Sequence, residues 1–486
     1  MNDFVVTMML LGAVSTGGKM PFWATANQYG LMPEYSGGLI QAGAHTRFDD
    51  SKDWKWCWGV SIAAREEMHD GFTFIPDEAY LSGGWRNLSL DLGIKHEEQY
   101  FMGASEYLGS LSATAGRMAW SGNTRSMPGY TLRLAPANIP YTKGHVQVYG
   151  SWGDYVCIDP YSYVQHHLVH SSRFGIIGHI GRFSLTLGLD HWAQWSGVHP
   201  ELGQMPTSFV DYLRVVTGHS GGSASSESDR INVIGNQLGS ELVKLDYRGD
   251  GWRITFQHEV PYDDRSGMKW QNFPDGVNTF CFSFDDKKRW VSDILLEAQY
   301  TMWQSGRDHQ RLATDEEIAA GTDPRLYTDP WGRTWIILGG GDNYWNNGEY
   351  KSGWTAWGRT KGNALFYPMG TRAGTLDHKK TVLGVENNRL LSAHVGLGGS
   401  IAHYAPYRLM FTWARCYGTY GTPYAKNTGG HEIPMHQLSL SLTAQVPFLK
   451  GSLLLLPGIY YDWGEILPSN FAATLGLRYV FKRAAR

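Results

Sequence analysis

The chain has 486 residues, 59 of them glycine, with 14% aromatic and only 18% charged residues and a formal net charge of −3. Soluble domains average ~7% Gly and ~25% charged residues, so a string of ordinary soluble domains fits poorly, and the near-neutral charge excludes the basic field of a nucleic-acid-binding protein. The longest apolar runs, Phe4–Val14 and Leu453–Leu456, fall short of the ~20 residues a membrane helix needs.

A chain poor in charge, rich in Gly and aromatics and without spanning helices fits a transmembrane β-barrel, where only every second residue must be apolar. The four cysteines, Cys57, Cys157, Cys281 and Cys416, lie far apart with no metal or CxxC spacing, and read as isolated buried thiols. MNDFVVTMMLLGAVSTGG resembles a signal-peptide core, but its early charge is Asp3 rather than Lys or Arg. We read it as the first strand, with an export signal expected upstream of this chain.

Period-2 alternation and turn signals then give strands in order. Phe4–Val14 is followed by a long loop, Leu39–Phe48, the turn DDSKD and Trp54–Arg65, where Trp54, Trp56 and Trp58 share a face as an interfacial aromatic girdle. After a medium loop come Asp77–Trp85, the turn Arg86-Asn87 and Leu88–Lys95. His96–Pro140 is the least regular region, with one strand at Tyr130–Ala135. His145–Val156, the loop DPYSYVQHHLVHSS, Arg173–Ile180, the turn Gly181-Arg182 and Phe183–Gln194 follow. Beyond a long polar loop come Ile231–Tyr247, the turn Gly249-Asp250, Trp252–Val260, Val277–Phe284, the turn DDKKR and Val291–Trp303. A very long insertion precedes strands at Arg389–Ile401, Arg408–Tyr417, His436–Val446, Ser452–Trp463 and Phe471–Phe481.

The fold class that follows is all-β: one transmembrane antiparallel barrel over residues 1–486, of about 18 strands, with short periplasmic turns and long extracellular loops. An even count puts both chain ends on the short-turn side. Asp293, Glu297, Gln299 and Thr301 alternate with Ile294, Leu296, Ala298 and Tyr300 and are expected to line the lumen. The closing strand sets Phe471, Leu475, Leu477, Tyr479 and Phe481 on one face. It resembles the terminal signal read by the barrel assembly machinery, which is therefore an expected partner during biogenesis, beside outer-membrane lipids and lipopolysaccharide. Localisation is expected in the outer membrane of a Gram-negative bacterium.

Chemistry is sought in two large extracellular loops, at about 196–230 and 305–387. In the first, Thr207 or Ser208 caps a short helix whose apolar stripe is Phe209, Tyr212, Leu213 and Val216. That stripe is expected to pack over the mouth, leaving Asp211 and Arg214 to help line a ligand groove. In the second, Trp331, Trp335, Tyr344, Trp345, Trp354 and Trp357 mix with Asn346, Asn347 and Arg359. Aromatic faces stack on the C–H faces of sugars while amides and guanidinium take the hydroxyls, so these residues are glycan-binding candidates. The opposing expectation is that some of them pack a core within the loop. His166 and His167 join the candidate set. Asp263, Asp264 and Asp275 flank SGMKWQNFPDG, but their spacing is not that of a calcium loop. No HExxH motif is present, and no catalytic group, metal or cofactor is assigned.

The succession STGGKMPFWATANQYG, SGNTRSMPG, HWAQWSG with GQMPTSFVDYLRVVTG, INVIGNQLGS, PYDDRSGMKWQNFPDG and GDNYWNNGEYKSGW resembles the Wzi capsule-assembly family, in its nearly all-barrel branch, along almost the entire chain. The resemblance implies an eighteen-stranded outer-membrane barrel that binds capsular or exopolysaccharide at the cell surface and helps assemble or retain the capsule, as a non-enzymatic lectin. The better-known enterobacterial form carries an N-terminal helical plug. Here any plug is expected from loops or from the His96–Pro140 region. The rival readings are a porin-like diffusion channel for a small solute and an outer-membrane hydrolase.

Overall fold

The structure is a computed structural model, and it describes residues 4–49, 51–263, 271–306, 309–321, 326–339 and 341–483. Eighteen long strands form its wall: β1 Phe4–Ser15, β2 Gly37–Thr46, β3 Trp54–Glu67, β4 Gly71–Trp85, β5 Leu88–Ile94, β6 Gly129–Asn138, β7 Val146–Val156, β8 Leu168–Ile180 and β9 Phe183–Trp195. They continue as β10 Asn236–Arg248, β11 Trp252–Asp263, β12 Gly276–Phe284, β13 Asp293–Tyr300, β14 Arg389–Ile401, β15 Ala405–Gly418, β16 Met435–Ala444, β17 Leu453–Gly464 and β18 Asn470–Arg483. Each strand pairs antiparallel with the next, and β18 returns to β1 from Phe4↔Arg483 to Ser15↔Ala472. The barrel is closed, so no strand presents an edge. Among the described residues no helix is long and apolar enough to cross a membrane.

Several expected boundaries move, among them the strand expected from Ile231, which starts at Asn236 because Ile231 ends a short helix, Glu227–Ile231. The medium loop before Asp77 is strand: β4 starts at Gly71, four residues after β3 ends at Glu67. Pro76 and a bulge opposite Ser61/Ile62 break its alternation, which hid the strand. β8 begins at Leu168, so His170 to Ser172 belong to the wall rather than to a loop.

Outward positions are apolar and exposed, as at Leu10, Leu187, Leu296, Leu475 and Leu477, the pattern of a wall that faces lipid. At the short-turn end the outer face carries an aromatic girdle. Trp54 lies 6.1 Å from Trp85, and Phe183, Tyr247, Trp252 and Phe282 run on around the rim at centroid spacings of 4.7–5.8 Å. The cysteines are buried and unpaired.

Inward positions are polar and buried. Asp293, Glu297, Gln299 and Thr301, expected to line the lumen, are all under 6% exposed. What buries them is chain, not water. Residues 95–128, between β5 and β6, fold into the barrel together with segments 16–36 and 341–388. Wall side chains hold the first of these by its backbone. Glu259 accepts from Met118 N (2.9 Å), Gln257 Nε2 donates to Gly116 O (3.1 Å) and Arg408 Nη1 donates to Ser110 O (3.1 Å). Glu297 accepts from Ser112 Oγ (2.5 Å). A relay ties two segments to the wall. Trp23 Nε1 donates to Thr412 Oγ1 (3.0 Å), whose hydroxyl meets His394 Nδ1 (2.7 Å), while His394 Nε2 meets Leu111 O (2.7 Å). The Leu111 carbonyl can only accept, so a neutral imidazole carries its proton on Nε2 and Nδ1 accepts from the Thr412 hydroxyl. The plug expected from loops or from His96–Pro140 is therefore present in residues 95–128, joined by the two other inward loops.

The 196–235 loop departs from expectation. Its helix, Phe209–Val216, closes with a capping box: Ser208 and Asp211 satisfy one another's backbone N–H groups. It does not cover the mouth. Tyr212 accepts from Trp152 Nε1 (3.0 Å) and donates to Asp154 (2.9 Å). Trp152 sits opposite lipid-facing Leu132, so the helix rests on the outer wall. Val215, packed with Ala193 and Trp195, is the buried apolar residue, while Phe209 and Leu213 are exposed. Beside a lipid-facing wall an apolar stripe need not turn toward protein, which is where the periodicity argument failed. Asp211 caps the helix and Arg214 pairs with Asp211 at 3.0 Å.

Two outcomes test this arrangement. A Cβ added at Gly396 would lie 2.3 Å from Leu111 O, too close for the inserted segment to stay seated. Gly396→Val should leave a heat-modifiable barrel but release residues 95–128, read as new tryptic cleavage at Arg117; an unchanged digestion pattern would contradict the seating. The second concerns Asp229, whose carboxyl is pushed up to about 7 by burial and then by Glu349. An acid raised above its unfolded value of 3.8 stabilises the fold while protonated, and that contribution is lost as pH rises from about 4 through about 7. Amide exchange in 221–235, corrected for intrinsic rate, should be slower at pH 5 than at pH 8, and Asp229→Asn should flatten the difference.

Candidate functional site

Above the inserted layer, on the long-loop side, lies a cleft of about 290 Å³. Five separated segments build it: Gly30 and Glu34, Arg65 to Pro76, Thr124 to Ser126, Ile158 to Tyr161, and Trp357 to Lys379. Trp357 is placed by a two-residue hairpin. Ala356 pairs with Arg359, and the turn residues Trp357 and Gly358 have φ of 48° and 68°. Positive φ at both positions is the primed turn that matches strand twist. A tryptophan there is unusual and must be held by its surroundings. Trp357 N donates to Asp159 (2.7 Å) and its carbonyl meets His378 Nδ1 (3.0 Å). The Arg125 guanidinium lies 5.4 Å from the Trp357 ring centroid, within cation–π range.

The charges around this floor are mostly matched. Arg65 Nε lies 2.9 Å from Glu67, and Arg65 Nη1 donates to the carbonyls of Gly30 and Met32. Arg359 pairs with Glu34, which also meets His378 Nε2 at 3.3 Å. Burial alone would raise the Glu34 carboxyl, but Arg359, His378 and Arg65 together hold it well below the usual carboxylate range. Lys379 reaches Asp70 at 3.3 Å. Arg125 is the exception. Among the described residues it has no ion pair or hydrogen bond, and its Nε is sealed from solvent without a partner.

Of the residues expected to bind glycan, Trp357 and Arg359 line this cleft. Tyr344, Trp345 and Trp354 are fully buried. Trp345 packs edge-on against Phe366 at 4.8 Å, Trp354 lies 6.0 Å from Trp120, and Lys361 covers the Trp354 ring at 4.6 Å. These rings belong to one buried cluster that joins this loop to residues 16–36, residues 95–128 and wall strands, rather than to a core of the loop alone. Asn346 bonds Val385 through both its amide atoms (2.8 and 3.0 Å), and Asn347 accepts from Glu349 N and Tyr350 N. Trp331 is 79% exposed on a small three-stranded excursion with Trp335, and Arg333 lies over both rings. No cleft residue comes from that excursion. His166 sits at a left-handed φ of 53° and His167 is buried, 2.9 Å from Val164 O. Asp275 is buried and accepts from Trp303 N, Gln304 N and the Tyr344 hydroxyl, a structural role; Asp264 lies outside the described residues. Arg125, Arg65, Glu34, His378 and Tyr161 went unrecognised because no two of their segments are close in sequence.

A second cavity, of about 520 Å³, opens near the short turns and is lined by Lys55, Arg86, Tyr100, Arg117, Tyr149, Arg173 and Asp190 among others. It shares no lining residue with the cleft. The packed 95–128 segment lies between them.

No protein-family model matches the chain, and no curated protein sequence matches it. Among solved structures the barrel is similar to Wzi of Escherichia coli, an outer-membrane protein involved in group 1 capsule assembly and described as a carbohydrate-binding β-barrel. The two are 13% identical with a TM-score of 0.56, over 98% of this chain and 84% of that one. OccAB4 of Acinetobacter baumannii (9% identity, TM-score 0.44, 99% and 98% covered) and OprD of Pseudomonas aeruginosa (8%, 0.45, 100% and 96%) also align. At these identities the likeness to Wzi establishes the fold: the chain is an eighteen-stranded antiparallel barrel of the outer-membrane type.

Proposed function

We propose that this barrel binds a capsular or extracellular polysaccharide at the cell surface and helps assemble or retain the capsule, without catalysing a reaction on it. The observation that carries the reading is the cleft itself. Trp357 is fixed at a strained turn and framed by Arg125, Arg359 and Glu34 on the long-loop side. An aromatic face beside planar, charge-bearing groups is the combination that grips a pyranose: the ring stacks on C–H faces while the polar groups select hydroxyl geometry. Two further features support it. The interior is packed with polar-anchored chain, which suits a receptor better than a conduit. The E. coli protein of similar fold is described as carbohydrate-binding.

Two measurements test the proposal. In planar bilayers the purified protein should give no sustained ohmic openings; large steady conductance would favour the diffusion-channel reading instead. On a glycan array Trp357→Ala should weaken retention of the bound glycan by about tenfold or more, the scale of losing a central aromatic anchor, with heat-modifiable migration unchanged. Full retention by Trp357→Ala would move the binding site away from the cleft.

A further inference from the structure

We propose that the cleft selects a carboxylate-bearing sugar, a uronic acid unit of the polysaccharide, with Arg125 as the group that receives the carboxylate. This rests on the polysaccharide reading above and names the class of sugar. Arg65, Arg359 and Lys379 are each matched by Glu67, Glu34 and Asp70. The remaining carboxylate near the floor, Asp159, accepts from the backbone N–H of Tyr161 (3.0 Å) and Trp357 (2.7 Å), one at each oxygen. Arg125 is left as a half-buried cation without a carboxylate in direct contact; Asp159 and Glu34 act on it only at longer range.

Its neighbourhood penalises that state. Burial, and then the Arg65 guanidinium, push Arg125 down to about 10, as expected for a cation held in low dielectric beside another cation. Three buried polar atoms without a hydrogen-bond partner belong to residues that line the same cleft: Arg125 Nε, Arg65 Nε and the Thr73 hydroxyl. A neutral sugar would offer each a single weak acceptor. A carboxylate offers two coplanar oxygens in the spacing of the guanidinium fork and supplies the direct ion pair that Arg125 lacks. The Trp357 ring, 5.4 Å from the same guanidinium, lies where the sugar ring bearing that carboxylate would stack. The cavity volume of about 290 Å³ is at the small end of ligand pockets, room for roughly one or two pyranose units.

The test is an array of matched neutral, uronate-bearing and sulfated oligosaccharides, probed with the full-length barrel, Arg125→Gln and Arg125→Lys, each verified as folded by heat-modifiable migration. We expect retention of uronate-bearing glycans, loss of about tenfold or more in Arg125→Gln, an intermediate loss in Arg125→Lys because an ammonium cannot present two coplanar donors, and loss of binding when the same oligosaccharide is carboxyl-reduced. The last arm does not depend on any variant folding. Retention of neutral glycans with Arg125→Gln unaffected would overturn the uronate assignment and leave the polysaccharide reading standing. Selective retention of sulfated glycans would overturn the carboxylate class. Retention of no glycan would overturn both.

Discussion

The constraint on which everything else depends is that no backbone polar group can face hydrocarbon unpaired. The sheet must therefore close, and it does so where β18 lies against β1 over twelve successive residue pairs. Closure at eighteen strands creates an interior too wide for wall side chains to fill. Alternation sends polar residues into that interior. Once lipid outside demands apolar outward positions, the lumen inherits Glu259, Glu297, Gln257, Arg408 and His394. Buried polar groups need partners, and here the partners are the carbonyls and amides of an inserted chain.

This explains why residues 95–128 look irregular. A segment that crosses a polar lumen meets hydrogen-bonding groups on all sides and has no single apolar face, so neither helical nor strand periodicity develops. Close approach replaces periodicity as its signature. Gly396 permits Leu111 O to come against the wall, and Gly362, in the inward segment 341–388, lets Met118 O come against that segment. The inserted layer separates an outward cleft from a cavity near the short turns, and it gives the cleft a rigid floor.

The cleft's electrostatics follow from how it is assembled. Five segments bring cations and carboxylates together, and most neutralise each other in the manner of a structural network. The departure at Arg125 is informative because it is local: three neighbouring cations are paired and this one, stacked near a tryptophan at a strained turn, is not. An unsatisfied charge is costly in a pure scaffold, so its persistence at an outward cleft points to ligand rather than to packing.

The amino-acid sequence by itself determined the barrel, its even strand count, its orientation of faces and the end at which the short turns lie. Each is written in nearest-neighbour alternation and local turn chemistry, as in Gln437 to Ala444 or Gly181-Arg182. The position of the Phe209–Val216 helix was legible too, through its Ser208 cap, but not the surface it lies on, because periodicity marks an apolar face without saying whether protein or lipid will meet it. Which aromatics pack and which remain available was decided only by tertiary structure. Trp354 and Trp357 stand three residues apart in one loop, yet one is sealed beneath Lys361 and the other lines the cleft. Composition treats them alike. What separates them is the path of four other chain segments, and that path is set by long-range contacts in the lumen that no local pattern encodes.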